Sequence, residues 1–330
     1  MPAASLQIHI LLSRGFLGVD FFFVLSGFLI TTLLLREEDR TGRISLAGFY
    51  WRRSLRIIPV YFLVVSLAAF NDIVLNGERE KLDILPYYYL FLANFLIPEH
   101  ITFLHPTWSL AMEEQYYLLW PLLLILLPRR VLVPVLLVLV AVNVIAALGL
   151  FSYVGITAFV VGDLRFSIGG ATYAPILMGS LVAVVLHDRR GFERLAPLLG
   201  RRLAPLVCFA LLLLVLWVLP KRLEGLPNLL VHSGMCLSLI SLVVREDNML
   251  APVMRQRLIA RIGQISYGIY LYHLFARGVV VPTLSAAGIT SFWLVFAAFF
   301  ALSVIAAELS FRFYESRFLA LRSKPRETVS

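Results

Sequence analysis

Apolar runs of about 20 residues recur through most of this 330-residue chain, and that is the length of α-helix needed to cross the hydrocarbon core of a bilayer. They fall at 16–35, 57–75, 108–127, 131–150, 170–187, 203–219, 228–244, 264–284 and 291–311. Apolar residues make up 60% of the chain and charged ones 15%, with a mean hydropathy of +0.87, outside the range of a soluble globular domain. In lipid every backbone amide must be satisfied within its own segment unless a closed barrel forms, and these runs do not alternate as barrel strands do. The sequence therefore predicts an all-α, polytopic transmembrane helix bundle with nine complete spans and no strands. The longest stretches between spans, near 72–106, 187–202 and 245–262, are too short to bury cores of their own. One membrane domain without a fused module is expected.

Charge sets the orientation. If the loop after residue 35 is cytoplasmic, 22 of the 29 Lys and Arg residues fall on that same side, leaving residues 14, 79, 81, 165, 221, 222 and 277 near the other face or within a span. This is the positive-inside pattern, and it puts the C-terminus in the cytoplasm. The net charge of +9 is what basic loops beside anionic lipid produce, so no nucleic-acid partner is expected. The same bookkeeping places residues 1–14 outside, where Leu6 to Leu12 is too short to span and poorly flanked for a signal peptide. A further helix before residue 15 would bring the count to ten. Residues 1–14 are thus expected to be the extracytoplasmic remnant of a first helix, 15–318 the transmembrane domain and 319–330 a cytoplasmic tail. Cys208 and Cys236 lie within spans and form no metal-ligand spacing; neither disulfide nor metal is expected.

Ionisable groups inside a bilayer cost roughly 2.5–3.5 kcal/mol each, which makes the few that occur informative. Asp20 sits in the outer third of the first run, Glu113 and Glu114 follow Trp108 into the third, His273 lies in the middle of GQISYGIYLYHLFAR, and Glu308 is near the inner end of the last. Each either pairs with a neighbouring helix or lines a cavity. Ser266, Tyr270, His273 and Arg277 share one helical face, a polar stripe that serves either as inter-helix glue or as the wall of a reaction chamber. In FYWRRSLRIIPVY, Arg53 and Arg56 are one turn apart, and Arg52 and Arg56 four residues apart, so either pair of guanidinium groups can converge on one anion. Their planar forks suit phosphate, although positive-inside anchoring also accounts for basic residues here.

Four segments, GVDFFFVLSGFLIT, RRSLRIIPVY, TWSLAMEEQYYLLWP and IGQISYGIYLYH, occur in this order between about residues 9 and 318. In content and spacing the chain resembles the membrane-bound acyltransferase family 3 proteins, which include O-acetylases of bacterial surface polysaccharides. The resemblance implies a ten-helix bundle in the bacterial inner membrane that takes an acyl group, commonly from acetyl-CoA in the cytoplasm, and delivers it to a hydroxyl of a carbohydrate or other extracytoplasmic acceptor. It also implies that Arg53 and Arg56, with Arg52 beside them and Pro59 following, contact acyl-CoA. The acid of the W-S-L-x-x-E motif is Glu113, the histidine of S-Y-x-x-Y-x-x-H is His273, and the acid of G-V-D is Asp20. The arginine motif of the family's first helix is absent here, and His9, nine residues before Gly18, stands where the family histidine usually credited as base would fall. Where the family more often carries proline two residues after a glutamate, this chain reads Glu315-Ser316-Arg317.

The chemistry such a site needs is modest. An alcohol must lose its proton as it attacks a thioester carbonyl, and a neutral imidazole is suited to that; His9 and His273 are the candidates, with Glu113 or Asp20 able to orient an imidazole. A transporter or flippase of a small acyl or glycolipid substrate would equally want a polar cavity in a helical bundle, but the inverted repeats that accompany many such folds are not apparent. The remaining alternative is an inactive, truncated relative serving as a scaffold.

Overall fold

The computed structural model describes residues 14–96, 100–154, 158–167, 173–220, 223 and 225–323. They are predominantly helical and fall into two compact units, each assembled from separate stretches of chain: Met1–Ile44 with Gln115–Met254, and Ser45–Glu114 with Arg255–Ser330. Each unit has its own buried apolar cluster.

In the first unit α1 (Leu17–Thr41) ends where Gly42 takes a left-handed φ of 75° and returns its N–H to the Glu38 carbonyl, a conformation that costs glycine nothing. The second half of α4 (Thr107–Leu126) belongs here, followed by α5 (Arg129–Ala147), α6 (Ala174–His187), α7 (Arg189–Leu199), α8 (Ala204–Val218), α9 (Leu226–Val244) and the short α10 (Ala251–Met254). Backbone contact between α1 and α6 is close because Gly27 and Gly179 sit against the facing helix, as small residues do where helices meet in lipid. Trp120 of α4 donates its indole N–H to Thr31 Oγ1 at 2.8 Å. Tyr116, also on α4, hydrogen-bonds Ser180 of α6, whose hydroxyl lies 3.0 Å from the Ile176 carbonyl. Arg14, only 4% exposed, donates to the carbonyls of Leu216, Leu219 and Pro220, satisfying acceptors that the end of α8 leaves open.

The second unit holds α2 (Leu46–Ala69), capped by the Ser45 hydroxyl and continued by a π-helical turn, Phe70–Leu75. With it are α3 (Leu85–Tyr89), the first half of α4, α11 (Arg257–Ala286) and α12 (Phe292–Ser310), which runs through a π-turn, Phe311–Glu315, into α13 (Ser316–Ala320) and a 3₁₀ turn, Leu321–Ser323. α11 and α12 pack along each other and are clamped by Arg261, whose Nε and Nη2 each lie 2.8 Å from a Glu308 carboxylate oxygen. Arg312 adds a third bond to the same carboxylate at 2.6 Å. Glu308 therefore takes its structural alternative.

Each of the nine apolar runs contains a helix among the described residues. Five helical segments, Leu17–Thr41, Leu46–Leu75, Arg129–Ala147, Leu226–Val244 and Phe292–Ala320, are long and apolar enough to cross a membrane unaided. α7 and α8 pass that test as a pair bent by 78°. α6, at 14 residues, is roughly 21 Å long, shorter than the hydrocarbon core. The stretch 187–202, which carries no span of its own, contains α7, and one expectation needs correction. Strands also occur: Ala158–Val161 (β1) pairs antiparallel with Leu164–Ser167 (β2) in the connection between α5 and α6. Gly162 there has φ +58°, the left-handed value a tight hairpin turn requires. The rule against strands applies to lipid-exposed backbone, and this hairpin belongs to a segment between apolar runs.

Candidate functional site

The second unit holds a series of polar residues, here called the track, on α2, α4, α11 and the segment that follows α12. It starts on the first turns of α2 with Arg52, Arg53 and Arg56. The turn Leu321–Ser323 packs on α2 and brings a fourth guanidinium, Arg322. Desolvation, followed by the charges of Arg56, Arg53 and Arg52, holds Arg322 below its ordinary pKa. Four cations pressed together in this way favour an anion with several acceptor oxygens.

Three carboxylates, Glu113, Glu114 and Glu315, lie next to the cluster. Arg53 and Glu113 both lie within electrostatic reach of Glu114, and Arg56 within that of Glu315. Glu113 is 4% exposed and Glu315 is buried. Tyr267 of α11, its hydroxyl donating to the Ile57 carbonyl of α2 at 3.2 Å, feels Glu113, Glu114 and Glu315 together. One turn on, the Tyr270 hydroxyl is 2.7 Å from Ser109 Oγ and 2.8 Å from the Pro106 carbonyl at the start of α4.

His273 ends the track. Its Nδ1 is 2.6 Å from the Tyr270 carbonyl. A carbonyl can only accept, so Nδ1 carries the proton and donates it, and the lone pair of the neutral ring is on Nε2. The polar stripe of α11 thus divides: Tyr270 and His273 join the track, whereas Ser266 and Arg277 are exposed and Ser266 donates to the Gly263 carbonyl of its own helix.

Asp20 belongs to the first unit and pairs with a residue that sequence reading missed. Its Oδ2 is 3.3 Å from His232 Nε2 on α9, and His232 is 2% exposed. The signal was present, since His232 is an ionisable residue inside an apolar run. Of the sequence-predicted residues, Arg52, Arg53, Arg56, Glu113 and His273 come together in one unit and Asp20 stands in the other. His9 lies outside the described residues. Arg322, the other residue missed, comes after the last span, where the sequence had suggested only a tail.

Lys81, which lies outside the apolar runs, donates to Asp72 at 2.6 Å, and Asp72 also accepts from the Thr102 backbone N–H at 2.7 Å and Asn71 Nδ2 at 2.9 Å. Partial burial works against the Lys81 charge, but the Asp72 and Glu78 carboxylates outweigh it and raise its pKa.

A family model described as an acyltransferase domain matches residues 3–309. Peptidoglycan O-acetyltransferase OatA of Listeria monocytogenes is 30% identical over 92% of the chain and 51% of its own length. O-acetyltransferase OatA of Staphylococcus aureus is 28% identical over 92% of the chain and 53% of its own, and a putative O-acetyltransferase of S. aureus strain COL is 28% identical over 93% and 53%. The chain thus spans about half the length of the curated relatives it matches. No solved structure matches it.

Proposed function

The chain belongs to the acyltransferase domain family that its residues 3–309 match, and from that premise we propose that it is a membrane O-acyltransferase moving acetyl from acetyl-CoA to a hydroxyl of a cell-envelope glycan. The observation that carries this reading is the set of polar residues in the second unit, with an arginine cluster on α2 and, on α11, a half-buried imidazole whose Nδ1 is held by the Tyr270 carbonyl. Arg52, Arg53, Arg56 and Arg322 hold the phosphates of acetyl-CoA. The acceptor hydroxyl gives its proton to His273 Nε2 as its oxygen attacks the thioester carbonyl. The C–O ester bond forms, the C–S bond breaks, and the thiolate leaves and is protonated at the expense of the proton that His273 took, which returns the imidazole to its neutral form.

Tyr270 and Ser109 position His273 through the backbone carbonyl that fixes its tautomer, and Glu113, buried beside them, orders the same network. Asp20 and His232 are a supporting pair in the first unit. Residues 15–318 form the transferase domain, in the bacterial inner membrane with the C-terminus cytoplasmic, as the charge bias supports.

The test is transfer of radiolabelled acetyl from acetyl-CoA to envelope glycans in membranes carrying the chain. A positioned general base contributes about 10²–10⁴-fold, so His273→Gln should lose at least about a hundredfold in kcat at unchanged expression. Arg53→Gln with Arg56→Gln should raise KM for acetyl-CoA instead. Full labelling with His273→Gln would sink the assignment.

A further inference from the structure

A cation-rich cavity lies within the first unit, on the face read as cytoplasmic. It has a volume of about 740 Å³, is open to the surroundings, and is lined by five exposed arginines, Arg129, Arg130, Arg189, Arg190 and Arg194, against only two carboxylates, Asp39 and Asp188. Both carboxylates are engaged. Asp188 accepts the Gly191 backbone N–H at 3.1 Å as the cap of α7, and Asp39 meets His187 Nε2 at 3.1 Å. Arg129 pairs with Glu38, and Arg189 pairs with Glu193 at 2.8 Å. Arg130, Arg190 and Arg194 form no ion pair among the described residues, and Arg190 and Arg194, four apart on α7, share a face.

Positive-inside anchoring explains arginines on this face but not their position along the helices. Arg129 and Arg130 open α5, and Arg189 and Arg190 open α7. A helix N-terminus already carries positive partial charge, so cations there cost helix stability. Two helix starts and unpaired guanidinium groups facing one cavity concentrate a potential that an anion would offset.

The rest of the lining indicates what kind of anion. Leu35, Val133, Val184 and Val185 give the cavity an apolar wall. α7 meets α8 at 78°, so it lies near the membrane plane if α8 crosses it. α7 buries Leu199 and leaves Phe192 and Leu198 exposed, the pattern of an interfacial helix.

We propose that this cavity binds a phosphate ester, with its apolar wall favouring the headgroup and glycerol of an anionic phospholipid over a soluble nucleotide phosphate. It is a binding site separate from the arginine cluster of the second unit, and it does not depend on the reaction proposed there.

Native mass spectrometry of the full chain in detergent tests this with three probes: phosphatidylglycerol, phosphatidylcholine and adenosine 3′,5′-bisphosphate. Each arginine near an anionic surface contributes about fivefold to binding, so R130Q/R190Q/R194Q should weaken phosphatidylglycerol binding on the order of a hundredfold. R40Q/R43Q, which removes two charges on the same face outside the cavity, should leave it unchanged. Retention of phosphatidylglycerol over phosphatidylcholine, undisturbed by the bisphosphate, supports the lipid. Binding of the bisphosphate that the triple variant abolishes, with the two lipids held alike, supports the phosphate site but assigns it to a soluble ester. The single variants, each expected to lose about fivefold, keep the test decisive if the triple variant does not fold. Equal binding of every probe by wild type and R130Q/R190Q/R194Q, or an equal loss in R40Q/R43Q, overturns the proposal.

Discussion

Gly27 and Gly179 set how closely α1 and α6 approach, and adding one methyl at either position tests the packing of the first unit. A Cβ on Gly27 would lie 1.9 Å from the Ile176 carbonyl oxygen, and one on Gly179 would lie 2.0 Å from that of Val24. A carbon and a carbonyl oxygen in contact stand about 3.3 Å apart or more, so the helices would have to part locally by more than about 1 Å. No side chain can rotate away to absorb this, because both obstacles are backbone. Over-packing a filled core costs about 1–3 kcal/mol, and a backbone clash beside Val24, which is fully buried, belongs at the upper end. Gly27→Ala and Gly179→Ala should each lower the midpoint of thermal unfolding in detergent by roughly 6 °C or more. Their double variant should cost less than the sum, since one opening of the gap relieves both clashes. Gly18→Ala is the internal control: it lies on the same helix with nothing within 4 Å of the added carbon, and alanine is the better helix former. A Gly27→Ala protein melting within about 1 °C of wild type, or a Gly18→Ala protein as damaged as Gly27→Ala, would refute the close packing.

Two further outcomes follow from the second unit. Arg322→Ala should raise KM for acetyl-CoA roughly fivefold, the effect of losing about 1 kcal/mol from an accessible charge contact, and leave kcat near wild type in steady-state transfer assays; a fall in kcat at constant KM would detach Arg322 from donor binding. The Lys81 ammonium, raised by Asp72 and Glu78, should contribute stability that is complete below about pH 10 and lost as pH rises through its folded value. Unfolding of wild type and Lys81→Met compared across that range should show the gap between them closing at alkaline pH, and a gap that stays constant would show that the charge is not what stabilises the loop.

The sequence made the helices legible because lipid imposes a single length scale: wherever about 20 apolar residues recur, a helix is the structure that satisfies the backbone. It was less informative where that constraint relaxes. α7 was hidden in RRGFERLAPLL because a charged stretch between apolar runs looks like a loop until its residues are sorted by helical face. The β1–β2 hairpin occupies only four residues on each side of its turn, too few for a reliable alternation signal. The arginines, Glu113 and His273 could be listed as candidates because ionisable groups stand out in apolar surroundings. Periodicity assigns a residue to a face without saying which faces meet, so neither the Asp20–His232 pair, 212 residues apart in sequence, nor the approach of Arg322 to α2 could be read from it.

His273 and His232 show what partner identity adds to residue type. His273 gives its Nδ1 proton to a carbonyl of its own helix, so its accepting nitrogen is Nε2, on a half-buried ring beside Tyr270, Ser109 and the acids of the track. In His232 the nitrogen facing a partner is Nε2, and the partner is a carboxylate. A neutral His232 therefore keeps its proton on Nε2 and its lone pair on Nδ1, in a ring that is 2% exposed and closed to a substrate hydroxyl. Its use is to offset Asp20, since an uncompensated carboxylate within a span costs roughly 2.5–3.5 kcal/mol. The same residue type thus meets different partners: His273 gives its proton to a backbone carbonyl and keeps Nε2 as its acceptor, while His232 faces the partly exposed Asp20 carboxylate. On this reasoning His232→Gln, which keeps an amide donor for Asp20, should leave acyl transfer within about tenfold of wild type, whereas His273→Gln should abolish the 10²–10⁴-fold contribution of the base. Membranes labelled side by side decide it, and a His232→Gln loss as deep as that of His273→Gln, at equal expression, would mean that proton transfer runs through the Asp20 pair instead.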